Sequence, residues 1–374
     1  YRYVIMKYFF DQYYKCGDKK FYNIFQAFEE QLKSKHFPLY VMDQDLIKNL
    51  KGMKRPKDLS PSYLQALMIT RLKDIRKKTK KLKLLYTGGT DSHTILKLCM
   101  DNDIYLDEVA THLVSINNNI KTDVEFLPGI YFAKKYEGTV IGKVTEIHPT
   151  LEDMIEKLSN QDWYLDERYL PGSYIHLRPY SLDIIIRDNL KLDEDTIVLI
   201  GNEKPTFLIE DGQVYWSHPD AGTAEAMGIE NTIPFYMDKD NPELTVGMCY
   251  AFLDCVGKQQ YANDQFLEYH KIHDRQMKQK LLRSIGLFST GRGFLDNHLL
   301  GKKEFLNNIK NKRFINELRQ SSRPDLVDKL FGVYDRIYNR YKDLPYGMEK
   351  HGNYCAAVGR YSEKIPILQD KFGG

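Results

Sequence analysis

The chain has 374 residues, 42% hydrophobic and 28% charged, enough to bury a sizeable core in two or three units. A formal net charge of +3 is too small to mark a nucleic-acid binder by itself, so nucleic acid is possible as a partner but not favoured. No run approaches the roughly 20 apolar residues of a membrane-spanning helix, and the start Tyr1-Arg2-Tyr3-Val4-Ile5-Met6-Lys7 lacks a secretory-signal pattern, so the cytoplasm is the expected compartment.

In chain order, residues 1–80 read as an N-terminal accessory cap, with aromatic-rich segments at 3–14 and 21–28, a breaker-rich stretch at 51–61 and a helix over 63–75. The basic cluster Lys73, Arg76, Lys77, Lys78, Lys80, Lys81 and Lys83 reads as a solvated helix end and connection. The 27 tyrosines show no alternation with basic residues, so packing is expected of them rather than a base-stacking platform. Cys16, Cys99, Cys249, Cys255 and Cys355 are odd in number and widely spaced, which suits reduced thiols better than a disulfide framework. No CxxC pair is present, which removes the usual sign of a zinc knuckle and weakens any sulfur relay through paired cysteines.

Residues 81–235 alternate short apolar runs with helical segments, the pattern of a parallel sheet covered by helices. Strands are expected at 82–86, 109–116, 139–147 and 196–200, with helices at 91–100, 123–136 and 181–190 and a helix start at Thr150-Leu151-Glu152-Asp153. Pro128 is tolerable only in the first turn of its helix. Residues 236–374 favour helix at 242–256, 266–282, 302–318 and 324–341, so a mostly helical C-terminal lobe is expected.

The segment with chemical content is Leu84-Leu85-Tyr86-Thr87-Gly88-Gly89-Thr90-Asp91-Ser92-His93. A buried strand runs into two glycines, then a carboxylate and a hydroxyl at a helix start. Such a turn exposes backbone N–H groups and aims a helix N-terminus at one point, a favourable place for phosphate. Glycines let the backbone approach the anion. Thr87, Thr90 and Ser92 can donate hydroxyl hydrogen bonds, whereas Asp91 repels phosphate unless a cation lies between them, which makes Asp91 the expected magnesium ligand. No Lys-Ser/Thr follows at Walker A spacing.

This hexapeptide resembles the PP-loop, Ser-Gly-Gly-x-Asp-Ser, of the N-type ATP pyrophosphatases, with Thr87 in place of the first serine. Within that superfamily the chain is most similar to asparagine-synthetase-like proteins lacking the glutaminase domain. The resemblance covers about residues 82–245. It implies a Rossmann-like α/β domain of the adenine nucleotide alpha hydrolase-like kind, with ATP and magnesium as ligands. It also implies that a substrate carboxylate or carbonyl oxygen attacks the α-phosphorus and that ammonia or an amine then displaces AMP. The family's adenine contacts place Leu113, Val114 and Ser115 beside the base; Asp123 and Glu125 could follow as an acidic helix head or be ordinary N-terminal helix acids.

The segment Ile200-Gly201-Asn202-Glu203-Lys204-Pro205 looks like the second Gly-acid loop of asparagine-synthetase-type domains, cut short by Lys204-Pro205. By that likeness Gly201 borders the nucleotide, Glu203 binds substrate or acts as a base, and Lys204 stabilises the reacting phosphate or leaving pyrophosphate. A polar surface loop is the competing reading of the same pair. Residues 234–244 loosely resemble an aromatic loop of related proteins, and His176, Arg178, His218 and Asp220 are candidate substrate contacts without metal-site spacing. The start Tyr1-Arg2-Tyr3, with Cys16 as first cysteine, leads to the expectation of no glutaminase activity and of free ammonia, an amine donor or a partner subunit as nitrogen source. Two other functions stay open: nucleobase modification, as in other PP-loop families, and a non-catalytic nucleotide-binding module on the same fold. The sequence names neither the acceptor nor an oligomeric state.

Overall fold

The computed structural model describes residues 13–41, 43–52, 54–112, 127–148, 165, 174–175, 189–201, 206–210, 213–217, 231–256, 265–267, 275–288, 319–320, 323–345, 347–351, 354–357 and 365–366. The N-terminal region pairs β1 (Tyr13–Cys16) with β2 (Lys19–Phe21) and β3 (Leu39–Val41) in an antiparallel sheet of order β2-β1-β3. The same part of the chain holds α1 (Ile24–Ser34), which packs on β1 and β2, then α2 (Gln44–Gly52) and α3 (Pro61–Lys78). Local chemistry sets these helix ends. The Asn23 side chain accepts from the Phe25 N–H at 2.8 Å to start α1, and Lys35 ends it in the left-handed region. Ser60 accepts from the Tyr63 N–H at 3.3 Å with Pro61 at the first helical position of α3. Leu64, Met68, Leu72 and Ile75 form the buried stripe of α3 and join the main core.

That core is built on β4 (Lys81–Leu85), β5 (Leu106–His112), β6 (Ile141–Ile147), β8 (Thr196–Ile200) and β11 (Thr232–Pro234), with the two-residue β7 (Tyr174–Ile175) lying elsewhere. All neighbours are parallel and the order is β11-β8-β4-β5-β6, so the first strand is central, as in Rossmann-like domains. Helix α4 (Thr90–Asp101) links β4 to β5, and α5 (Leu127–Lys134), with Pro128 in its first turn, precedes β6. On one face Leu82, Leu84, Val109 and Leu199 pack with Ile95, Leu96 and Cys99 of α4 and with the α3 stripe. On the other, Leu85, Ala110, Val198 and Ile200 pack with Leu190 and Leu192. Burial on both faces explains why β8 reads Thr-Ile-Val-Leu-Ile without a polar alternation.

Lys83 departs from the solvated reading of the basic cluster. Its side chain lies on the second face, and Lys83 and Glu108 are only 6% and 4% exposed. The register of β4 and β5 sets them opposite each other, with Nζ to Oε2 at 2.8 Å. Lys83 also donates to the Lys191 carbonyl at 2.9 Å, and Glu108 accepts from Thr145 Oγ1 at 2.6 Å and meets Lys143 Nζ at 3.2 Å. The partners elsewhere in the cluster, Arg76–Asp107, Lys77–Asp74, Lys80–Asp195 and Lys81–Asp193, lie at the surface or partly exposed. Burial alone raises the Glu108 carboxyl, but the hydrogen bonds from Lys83 and Thr145 and the Lys83 charge outweigh it and hold the group below its ordinary value. Because the folded state holds that proton less tightly, this contribution to stability is present above the unfolded carboxylate range, near pH 4.5, and is lost as pH falls through the lower folded value. Urea unfolding of wild type and Glu108→Gln from pH 7 to pH 3 is expected to show a smaller acid-induced loss in the variant; parallel loss in both counts against the assignment.

Among its described residues the last third carries short strands as well as helices. Helices α6 (Glu243–Val256), α7 (Arg275–Ser284) and α8 (Asp325–Tyr341) are present, and α6 is buried along most of its length. The expected helix at 266–282 is instead the strand β12 (Gln265–Leu267) followed by α7, whereas 302–318 lies outside the described residues. The hairpin β9 (Thr206–Glu210) and β10 (Gln213–Ser217) pairs with β12 and with β15 (Ile365–Pro366) in the order β12-β9-β10-β15. A further sheet joins β13 (Met348–His351), β14 (Tyr354–Ala357) and β7. On the C-terminal side these strands have only two to four residues, too few for a period to mark them. Cys16, Cys99, Cys249 and Cys255 are free, and burial pushes the Cys99 and Cys249 thiols far up. Among the described residues no helix is long and apolar enough to cross a membrane.

Candidate functional site

Strand β4 is flanked by β5 on one side and β8 on the other, and the chain reaches them in opposite directions across the sheet. This is the switch point at which open parallel sheets leave a crevice beyond their carboxyl ends. The turn Thr87-Gly88-Gly89 stands there. Tyr86, fully buried, continues the ladder by donating to the Ala110 carbonyl at 2.8 Å; the backbone then turns through Gly88 at φ +70° into α4.

Gly88 needs glycine for its conformation and for its neighbour. A Cβ on Gly129, in the first turn of α5, would fall 2.7 Å from Gly88 Cα, and a Cβ on Gly88 would fall 3.1 Å from Gly129 Cα. Gly201, the residue after β8, stands against the opposite flank of the loop. Its Cβ would fall 2.6 Å from Ser92 N and 2.8 Å from the Asp91 carbonyl carbon. The structure therefore brings Gly201 against Asp91 and Ser92.

Inside the turn, Ser92 Oγ accepts from the Thr87 N–H and donates to the Gly89 carbonyl, each at 3.3 Å, and Thr87 Oγ1 accepts from the Gly89 N–H at 3.3 Å. Helix α4 begins on Gly89, which offers no side-chain cap, so acceptors for its first-turn N–H groups must come from elsewhere. The helix dipole at that end favours an anion. Asp91 and Thr90 are half-buried at the same turn.

Two later segments brace this end of α4. Tyr236 donates from its buried hydroxyl to the Asp91 carbonyl at 2.7 Å, and the Phe288 N–H donates to Thr94 Oγ1 at 3.0 Å. Burial, reinforced by the Asp91 charge, pushes the Tyr236 hydroxyl well above its ordinary value and keeps it a donor. The Tyr86 hydroxyl hydrogen-bonds with His93 Nδ1 at 3.0 Å, and the His93 ring lies 5.0 Å from Phe132. Burial, then the Lys97 charge, lowers the His93 pKa and favours the neutral ring.

Gly129, Tyr236 and Phe288 were not legible as site residues. Gly129 left a trace, a glycine after proline inside an expected helix, which commonly marks close packing. Tyr236 falls in the aromatic stretch 234–244 but its contact with the Asp91 carbonyl was not readable from it, and Phe288, whose backbone N–H meets the Thr94 hydroxyl, left no trace. Leu113, Val114, Ser115, Glu203 and Lys204 lie outside the described residues, as do Asp123, Glu125, His176, Arg178, His218 and Asp220.

Among the described residues no group of three or more His, Cys, Asp or Glu is placed to hold a metal. The donor set at the turn is one carboxylate, Asp91. That fits magnesium, which is commonly held by one or two carboxylates together with substrate phosphates rather than by an all-protein cage.

Sheet and loop together define an α/β protein of Rossmann-like strand order with a double-glycine turn at its switch point. No protein-family model matches the chain, and no curated protein matches it in sequence.

Proposed function

We propose that this chain is an ATP-dependent adenylating synthetase of the PP-loop, asparagine-synthetase-like kind, with the finer fold of the adenine nucleotide alpha hydrolase-like domains. The observation that supports it most is the uncapped start of α4 on a double-glycine turn, with Gly88 in the left-handed region, at the switch point of a parallel sheet.

In this reading the triphosphate lies along Thr87, Gly88, Gly89, Thr90, Asp91 and Ser92, where backbone N–H groups and hydroxyls donate to its oxygens. Asp91 would hold magnesium, which would supply charge neutralisation for the phosphates. An acceptor carboxylate or carbonyl oxygen forms a bond to the α-phosphorus as the bond to pyrophosphate breaks. Ammonia or an amine then attacks the activated carbon, loses a proton and displaces AMP. Gly201, which abuts Asp91 and Ser92, precedes Glu203 by two residues and Lys204 by three in the chain. Lys204 is assigned the charge developing on the leaving pyrophosphate, and Glu203 the substrate or the amine proton. The protein contributes mainly positioning and charge stabilisation.

The decisive measurement is a product assay with magnesium, ATP and a metabolite pool, separating nucleotides by chromatography and weighing products by mass spectrometry. AMP and pyrophosphate should form in equal amounts, with a new amide or C–N bond in the product. ADP and phosphate as products, or tight ATP binding with no turnover against any acceptor, would end the adenylation reading. A nucleic acid that gains mass instead would redirect it to base modification.

A further inference from the structure

At the amino ends of β8 and β11, the opposite end of the sheet from the glycine turn, a cavity of about 400 Å3 opens beside the last turns of α3 and the loop after Met237. Its volume falls within the range of small-molecule sites, about 300–1,000 Å3. Ile75, Ile197 and Ile233 give it an apolar wall.

Arg71 also lines it, with a side chain only 9% exposed. Its one ion pair among the described residues is a long one, Nε to Asp238 Oδ2 at 3.7 Å, and Nη1 is buried with no hydrogen-bond partner among them. The guanidinium lies 5.5 Å from the Phe235 ring centroid. Burial brings its pKa down to about 10 although Asp238 and Asp240 act to raise it. A guanidinium has five donors in a planar fork, and a carboxylate is the acceptor that matches two of them at once.

The rest of the lining is not suited to an anion alone. Four carboxylates, Asp74, Glu194, Asp238 and Asp240, face three cations, Arg71, Lys78 and Lys239, so a purely anionic ligand meets a net negative surface. Lys239 is moreover engaged by Asp43 at 3.5 Å. Glu194 and Asp240 are exposed and stand at the mouth, where a positive group would be welcome.

We infer that this cavity binds a small organic zwitterion, its carboxylate at Arg71, its hydrocarbon against the isoleucine wall and its ammonium at the rim formed by Glu194 and Asp240. The site is separate from the nucleotide loop and stands or falls independently of it.

Calorimetric titration of the full chain, without nucleotide, with ω-aminocarboxylates from glycine to 6-aminohexanoate tests it, with acetate and hexylamine as single-charge controls. One chain length, or two neighbouring ones, should bind and raise the unfolding temperature, with acetate and hexylamine weaker by about fivefold or more. Arg71→Met should remove binding. Glu194→Gln/Asp240→Asn, two changes at exposed positions, should weaken the best zwitterion about fivefold and leave acetate unaffected. This double variant decides the matter even if Arg71→Met does not fold. Absence of binding across the series, acetate binding as tightly as the zwitterions, or an unchanged affinity in the rim variant would overturn the inference.

Discussion

Asp91→Asn is expected to lower magnesium-dependent pyrophosphate release by about 100- to 1,000-fold, the usual cost of one preorganised electrostatic contact, with little change in melting temperature. The substitution keeps size and most hydrogen-bonding capacity. It removes the negative charge assigned to hold the metal against the phosphates. Loss of an acid from the first turn of a helix costs only about 0.3 to 1 kcal/mol of stability. The Asp91 backbone carbonyl, which accepts from Tyr236, is untouched by the change, so the brace on α4 survives. Steady-state release of pyrophosphate and thermal unfolding on the same preparations check both halves. Near-normal release by the Asn variant would remove Asp91 from its role and weaken the PP-loop reading.

Gly201→Ala tests the loop from its other flank. The added methyl carbon would stand 2.6 Å from Ser92 N and 2.8 Å from the Asp91 carbonyl carbon, both backbone atoms that no side-chain rotation can move aside. Overpacking of this kind typically costs about 1 to 3 kcal/mol, and the upper end is expected here because β8 is held between β4 and β11. Relief has to come from displacement of the α4 N-terminus, so ATP affinity should fall by at least about tenfold, the equivalent of roughly 1.4 kcal/mol. Gly332→Ala is the control: it lies within α8, an added Cβ meets nothing within 4 Å, and a glycine-to-alanine change in a helix favours stability by roughly 0.5 to 1 kcal/mol. If Gly201→Ala unfolds and binds ATP as wild type does, the close contact is not a working part of the site.

Much of the sheet was legible because its central strands, β4 and β8, are buried on both faces. Thr196–Ile200 coincides with its expected bounds, and Lys81–Leu85 is displaced by one residue from them. Helix α6 differs by one residue at its start, since Leu244, Met248, Ala251 and Phe252 mark one face unambiguously. Lys83 was not legible. Its partner Glu108 belongs to a neighbouring strand, and only the β4–β5 register places the two side chains together. The hairpin Thr206–Glu210 with Gln213–Ser217 is a different case. Asp211-Gly212 between two strand-like runs is a strong local hairpin sign, but a search for parallel strands passes over it. At the site, the turn itself is written in contiguous residues, whereas its supports are not. Tyr236 reaches Asp91 from 145 residues away, through a backbone carbonyl that any residue type would offer.

The central place of β4 also bears on how the chain is made. Its partner β8 follows after about 110 intervening residues, so during translation one edge of β4 has no strand to pair with for on the order of ten seconds. An open, apolar strand edge on a nascent chain invites pairing with other chains, which gives this protein a window in which a holding chaperone matters more than at any later time. Gly201 closes the flank of the glycine turn only after β8 has docked. A chain stalled or cleaved before Thr196 thus displays a half-built loop, and acquisition of anion binding by ribosome-bound chains of increasing length would time the docking of that strand.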